Sequence, residues 1–258
     1  MRKYTLPAII LGATLIFVIV KIFSCSRECG TPTPSEIIPT EIPEAQLEQI
    51  ETIRELTDIE KRMDKIGVLK RLKPEVFEYA LFGIEHLDPA KKDIITIVDF
   101  SKPSTEERLF VIDIVNNKLL LISHVAHGEK SGKKYATSFS NKHGSHQSTL
   151  GFYVTEKSYT GAKGYSMVID GIEWGINEQV QWRGIVVHSA DYADPVVIDS
   201  LGYLGTSKGC LVLPPSKNAQ YIDTVKDGSL ILVYANDNQY VLESKVVEAF
   251  KSRYEKIL

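Results

Sequence analysis

The chain has 258 residues, of which 43% are hydrophobic and 9% aromatic, enough to bury a sizeable core and to exclude a disordered polypeptide. Its 30 basic and 33 acidic side chains leave a net charge of −3, which offers no general attraction for a phosphate backbone, so no nucleic acid is expected as a partner. Three cysteines are too few for a disulfide framework, and Cys210 stands far in sequence from Cys25 and Cys29.

Arg2 and Lys3 precede an uncharged apolar run over residues 4–20 that Lys21 closes, which reads as a signal or membrane anchor within residues 1–25. A run of this length fits either a short membrane-spanning helix with its basic end in the cytoplasm or the core of a cleaved signal. Ile22-Phe23-Ser24-Cys25 also resembles a lipoprotein cleavage box, from which Phe23 and the nearby Lys21 depart. Pro32, Pro34, Pro39 and Pro43 make residues 26–43 an extended linker. Over residues 44–73, Leu47, Ile50, Ile53, Leu56, Ile59, Met63 and Ile66 recur at three- and four-residue steps, predicting an amphipathic packing or stalk helix.

Pro74 opens a helix over 75–87 that Asp88-Pro89 ends. The texture then changes to short runs rich in Val, Ile, Tyr and Phe at 94–100, 108–115, 118–125, 151–155, 166–169, 184–188 and 230–234, predicting strands. Residues 74–237 are therefore expected to form a mainly β (α+β) domain with a mixed sheet and N-terminal helices, followed by a strand or helix extension over 238–258.

Two segments carry chemistry. Residues 183–192 bring His188 to the end of an apolar strand, and residues 205–211 present Cys210 on a turn of small residues. A thiol becomes nucleophilic near neutral pH with a base beside it, and imidazole is that base. The expected pair is a thiolate and an imidazolium meeting across an open groove, reactive even at mildly acidic pH. Amides around Gly209 and Cys210 are candidates for oxyanion stabilisation. Gly205-Thr206-Ser207-Lys208-Gly209 also matches the nucleophile elbow of serine hydrolases. That elbow needs a strand before it and a helix after it, whereas 211–213 is β-like and Pro214-Pro215 reads as a helix stop. His124, His127, His143 and His146 suggest a metal, but positions 124 and 127 of a strand point to opposite faces, and no metal is assigned. The loop from Gly128 to Lys134 is basic and glycine-containing, a solvated turn or a flank of the cleft.

From Pro74 to Asp237 the chain resembles the L,D-transpeptidase catalytic domain family, the YkuD-like murein enzymes, in the branch with a glycine-rich stretch before the histidine strand. The resemblance rests on residues 148–153, 159–166, 171–177, 183–188 and 207–210, above all on the His188 strand followed 22 residues later by Cys210. It implies that Cys210 is the acylated nucleophile, His188 its base and the Ser189 carbonyl the group that orients the ring, with Ser207 and Gly209 shaping the turn. Many relatives carry a second histidine where Lys208 stands and an arginine where Leu211 stands; Arg183 is the candidate to supply a cation instead, and Tyr192, Lys208 and Gly128 are further candidates for substrate binding. The implied function is a peptidoglycan-modifying cysteine acyltransferase acting on stem peptides, with no cofactor, anchored on the periplasmic side of a bacterial envelope. An L,D-carboxypeptidase, an endopeptidase, and a wall-binding module that has lost catalysis fit the same residues.

Overall fold

The computed structural model describes residues 55–255, which form one compact unit. The expected anchor, the proline-rich linker and the first part of the amphipathic segment lie outside the described residues. Among the described residues no helix is long and apolar enough to cross a membrane.

The amphipathic segment continues here as α1 (Asp58–Ile66) and stops short of the expected residue 73. Thr57 and Glu60 form a reciprocal capping box at its start, and Gly67, with φ of 85°, ends it. Met63 and Ile66 are buried, so this is a packing helix. Helix α2 (Pro74–Leu87) begins on the expected proline and stops at Asp88 in the left-handed region.

Eight strands form one mixed sheet: β1 (Ile94–Asp99), β2 (Leu109–Asp113), β3 (Lys118–Ser123), β4 (Gly151–Gly161), β5 (Gly164–Gly171), β6 (Val186–Ser189), β7 (Leu211–Leu213) and β8 (Leu230–Tyr234). Their order is β3-β2-β1-β8-β4-β5-β6-β7, with β1–β8 and β6–β7 parallel and the other neighbours antiparallel. Strands β1, β2 and β8 are almost continuously apolar because both faces of the centre are covered. Ile97, Leu232 and Phe152 are register partners on one face, where the Phe152 ring meets Tyr79 of α2 at 5.1 Å. Thr96, one residue along β1, faces the other side and accepts from the Tyr221 hydroxyl of α4 (Pro215–Val225). The two helices therefore cover opposite faces. A Cβ at Gly83 would lie 2.2 Å from the Phe152 ring, so α2 sits close to the sheet only with glycine there.

Helix α4 corrects the reading of Pro214-Pro215 as a stop. Pro215 occupies the first helical position, where the missing N–H is no loss. The short α3 (Ile198–Leu201) lies in the β6–β7 crossover, and residues 238–255 form α5 (Asn238–Glu243) and α6 (Lys245–Glu255), helix without strand.

The connection between β5 and β6 is tied down by two buried side chains. Asn177 donates to the Leu150 and Phe152 carbonyls, each at 2.9 Å. The Glu173 carboxylate accepts from Phe152 N at 2.7 Å, from the Tyr240 hydroxyl at 3.0 Å and from the Ser244 hydroxyl, fastening the C-terminal helices to the sheet. Burial raises the Glu173 pKa, and these three donors oppose the rise. Glu173→Leu strands all three, and a loss of about 3 kcal/mol in urea unfolding is expected, read as a lower midpoint at unchanged slope.

Candidate active site

Strands β6 and β7 bring the two central residues together. Their parallel register pairs Val187 with Leu211 and His188 with Val212, so Cys210, one residue before β7, falls opposite Val186. Residues two apart on a strand share a face, which puts His188 and Cys210 on the same side of adjacent strands. Strand spacing and rise place their Cβ atoms about 8 Å apart. The sulfur lies 3.9 Å from the Gly184 carbonyl and beside the Val186 amide, at the start of β6.

The His188 tautomer follows from its partner. Nδ1 is 2.9 Å from the Ser189 carbonyl, which only accepts, so Nδ1 carries the hydrogen and Nε2 is left with a lone pair. The expected orienting role therefore has its geometry, and it belongs to the main chain of Ser189.

The nucleophile turn is held from within. Ser207 Oγ donates to the Cys210 carbonyl at 2.8 Å and accepts from Gly209 N at 3.0 Å. Gly209 has φ of 114°, and a Cβ there would meet the Gln147 carbonyl at 2.8 Å, so only glycine fits. Two expectations change. The Gly209 amide is spent on Ser207, which leaves the Cys210 amide for an oxyanion. Ser207 is buried with its hydroxyl committed to the turn, and a strand follows it where an elbow needs a helix.

The pair is largely buried: Cys210 is 7% exposed and His188 2%. Burial pushes the Cys210 thiol above its ordinary value, and the Val186 amide, Lys163 and Arg183 pull it partly back. Burial pushes the His188 pKa down, the Ser189 carbonyl raises it and Lys163 lowers it further. Both directions favour a neutral thiol beside a neutral imidazole near pH 7, in place of the expected ion pair.

Tyr192 is half-buried in the crossover, and its phenol is pushed up to about 12 by burial and then by the Cys210 charge, so it remains a donor. Lys208 points its side chain to solvent. Arg183 is occupied: Nη1 donates to the Ser140 carbonyl at 2.7 Å, and Nη2 to the Gln147 carbonyl at 2.5 Å and Ser145 Oγ at 3.2 Å. Its guanidinium therefore fastens the 140–147 loop to the nucleophile turn, while its charge still reaches the sulfur. Gly128, expected at the substrate, is buried. It forms a bridge to Ser207, and a Cβ there would meet the His146 carbonyl at 2.5 Å, so it packs backbone against backbone.

Two features escaped the sequence. Lys163 sits at the two-residue tip of the β4–β5 hairpin, and its charge acts on both His188 and Cys210. The Gly161 and Gly164 that flank the tip signal a hairpin, but the strand it leans toward is set by register. Below the turn, fully buried Arg108 donates to His127 Nδ1 at 2.8 Å, and the His127 carbonyl accepts from Ser207 N at 2.9 Å. The other histidines have separate neighbours: His124 the Thr105 carbonyl, His146 Glu129, and His143 the Trp182 ring.

A mixed sheet that sets a cysteine turn beside a histidine strand defines the class. The sequence model of the L,D-transpeptidase catalytic domain matches residues 69–234, and the chain belongs to that family. Among solved structures it is similar to an L,D-transpeptidase from Mycobacterium smegmatis, at 20% identity and a TM-score of 0.33 over 55% of this chain and 59% of the other. L,D-transpeptidase 3 from Mycobacterium tuberculosis aligns at 14% identity and a TM-score of 0.35 over 57% and 61%. An L,D-transpeptidase from Xylanimonas cellulosilytica aligns at 12% and 0.31 over 55% and 60%. The chain thus spans less than two thirds of the length of these structures. No curated protein matches it.

Proposed function

We propose that the chain is a peptidoglycan-modifying cysteine acyltransferase, an L,D-transpeptidase, held at the periplasmic side of a bacterial envelope by its N-terminal apolar segment. The observation that carries this reading is the His188 ring, fixed by the Ser189 carbonyl with Nε2 free, on the strand beside Cys210.

The substrate carbonyl joins the L-configured centre of a diamino acid to a terminal D-alanine in a stem peptide. Cys210 Sγ bonds to that carbon while its proton passes to His188 Nε2. The Cys210 amide and the Tyr192 phenol face the developing oxyanion. On collapse the C–N bond breaks, the Nε2 proton goes to the departing nitrogen, and D-alanine leaves a thioester behind. An amine of a second stem attacks the thioester, its proton passes through Nε2, and the thiol is restored as the C–S bond breaks. No cofactor enters the sequence. Lys163 then offers a cation to a stem carboxylate.

The test is incubation with purified tetrapeptide muropeptides followed by mass analysis. Cross-linked dimer with D-alanine release is expected. Release with water as acceptor identifies a carboxypeptidase, and cleavage of existing cross-links an endopeptidase. Binding without any covalent change identifies the wall-binding module, a reading that the near-complete burial of Cys210 favours, and it removes the proposal.

The neutral resting pair has its own signature. Alkylation of Cys210 is expected to rise only on the alkaline side, with an apparent pKa above the ordinary thiol value of about 8.5. Lys163 lowers both groups, so in Lys163→Gln both pKa values move up: the acid limb of the pH–rate profile and the alkylation midpoint shift to higher pH. A faster-than-ordinary thiol at pH 6 in the unmodified chain contradicts the neutral pair.

A further inference from the structure

The sequence contains two tryptophans, and both lie in the β5–β6 connection with their rings in solvent: Trp174 is 86% exposed and Trp182 76%. Large rings left in water at this extent mark a surface that meets something. Beside them runs a depression of about 380 Å³ between Asn141, Lys142 and His143 on one side and Gly175, Glu178 and Gln179 on the other, a volume in the range of small-ligand sites. His143, which lines the depression, pairs with the Trp182 ring, centroids 6.2 Å apart and planes inclined by 54°. Trp174 directly precedes Gly175.

The floor is polar and pre-ordered. Glu178 Oε2 accepts from Asn141 Nδ2 and from Gly175 N, both at 2.8 Å, and Asn141 Oδ1 accepts from Gln179 N at 3.2 Å. One carboxylate, Glu178, and one cation, Lys142, line the depression among neutral amides. That balance gives neither the basic surface an anionic lipid or nucleic acid requires nor the acidic surface a polycation requires. An exposed ring pair adjoining a floor of fixed amide and carboxylate groups matches an uncharged ligand with C–H faces and many hydroxyl and acetamido groups.

The surface is continuous with the candidate active site. Trp182 precedes Arg183, whose guanidinium holds the 140–147 loop at Ser140, Ser145 and Gln147 and lies 3.1 Å from where a Gly209 side chain would start. We infer that the Trp182–His143 ring pair and the adjoining depression bind the N-acetylated amino-sugar strand to which stem peptides are attached, placing a stem toward Cys210. This inference rests on the proposed peptidoglycan reading and adds a subsite for the sugar.

Because both tryptophans lie here, emission excited at the red edge, where tyrosine does not absorb, reports this connection. Titration of the full chain with an N-acetylglucosamine tetramer is expected to give a saturable blue shift and quench. Trp182→Ala is expected to weaken the tetramer at least tenfold, and Trp182→Phe, which keeps a ring, to retain most of the affinity. Trp182→Ala is also expected to lower the ratio of turnover on sugar-linked stems to turnover on free stem peptide. An unshifted spectrum at millimolar tetramer overturns the inference. So does a shift that follows protein concentration without sugar, which identifies a second copy of the chain, or one produced only by phosphatidylglycerol vesicles. Saturable tetramer binding in a chain that turns over no stem peptide sinks the enzymatic reading and leaves the sugar site standing. Stem turnover with an unshifted spectrum does the reverse.

Discussion

Cys210→Ala is expected to reduce D-alanine release from a stem tetrapeptide by about 10³-fold or more and to eliminate the thioester adduct in intact-mass spectra. The magnitude follows from what is removed. Every turn of the proposed cycle passes through a bond to the sulfur, so without it neither the Cys210 amide nor the Tyr192 phenol has an intermediate left to stabilise. His188→Ala is expected to fall nearly as far at neutral pH, for a different reason. Burial holds the thiol protonated, so without Nε2 nothing takes its proton. The two variants separate with pH: His188→Ala recovers part of its rate as alkali ionises the thiol directly, whereas Cys210→Ala stays flat.

Smaller effects locate the supports. Ser189→Ala keeps the carbonyl that His188 Nδ1 uses and is expected to change turnover far less than His188→Ala. Ser207→Ala removes the acceptor of Gly209 N and the donor to the Cys210 carbonyl, so the turn loses two bonds and its rate is expected to drop by about tenfold. Turnover in Cys210→Ala near that of the unmodified chain ends the nucleophile assignment.

Some of this was legible in residue pattern because local chemistry decides it. Strands β1, β2 and β8 carry their burial in their composition, and α2 carries its start at Pro74 and its end at Asp88-Pro89. His188 and Cys210 were legible as chemistry, since a thiol and an imidazole in small-residue and apolar settings imply each other. What depends on packing was not. Helix α4 was misread because Pro-Pro breaks a helix in its interior and favours one at its first position, and the same two letters serve both. The ionisation of the pair turns on burial, which no spacing encodes. Arg183 looks like a strand-edge cation until the carbonyls of the 140–147 loop close on it, and Lys163 until register swings its hairpin toward β6. Arg108, beside Glu106 and Glu107, reads as one more surface charge.

That last residue carries the second large expectation. Arg108→Met is expected to cost on the order of 3–5 kcal/mol, lowering the melting temperature by about 10 °C in a domain of this size. The guanidinium is fully buried, and each of its three nitrogens donates. Nε and Nη2 donate to the Val125 carbonyl at 3.2 and 2.8 Å, Nη1 to the Lys102 carbonyl at 2.9 Å, and Nη2 to His127 Nδ1 at 2.8 Å, while Cζ lies 4.7 Å over the Phe100 ring. Replacing a buried ion pair by apolar side chains is sometimes neutral, but only when the partners go too. Here two of the acceptors are main-chain carbonyls and remain, stranded. Lysine, a single ammonium on a flexible stem, does not span three acceptors, so Arg108→Lys recovers only part of the loss.

The same substitution reaches the nucleophile. His127 takes its hydrogen bond from Arg108 through Nδ1, so Nε2 donates to the Gly132 carbonyl, and the chain on either side of the ring grips Ser207 through the His127 carbonyl and Glu129 N. Turnover is therefore expected to fall even well below the melting temperature. The pH dependence has a definite sign. Burial, and then the Arg108 charge, lower the His127 pKa from an ordinary 6.5 to about 4. Its contribution to stability is thus complete above pH 6.5 and is lost as the pH falls through 4. Without Arg108 the His127 pKa moves back up and less is lost in acid, so the gap between the unmodified chain and Arg108→Met narrows from pH 7 to pH 4. Urea midpoints at the two pH values measure it, and a gap that widens in acid, or a melting temperature unchanged within 2 °C, contradicts the arrangement.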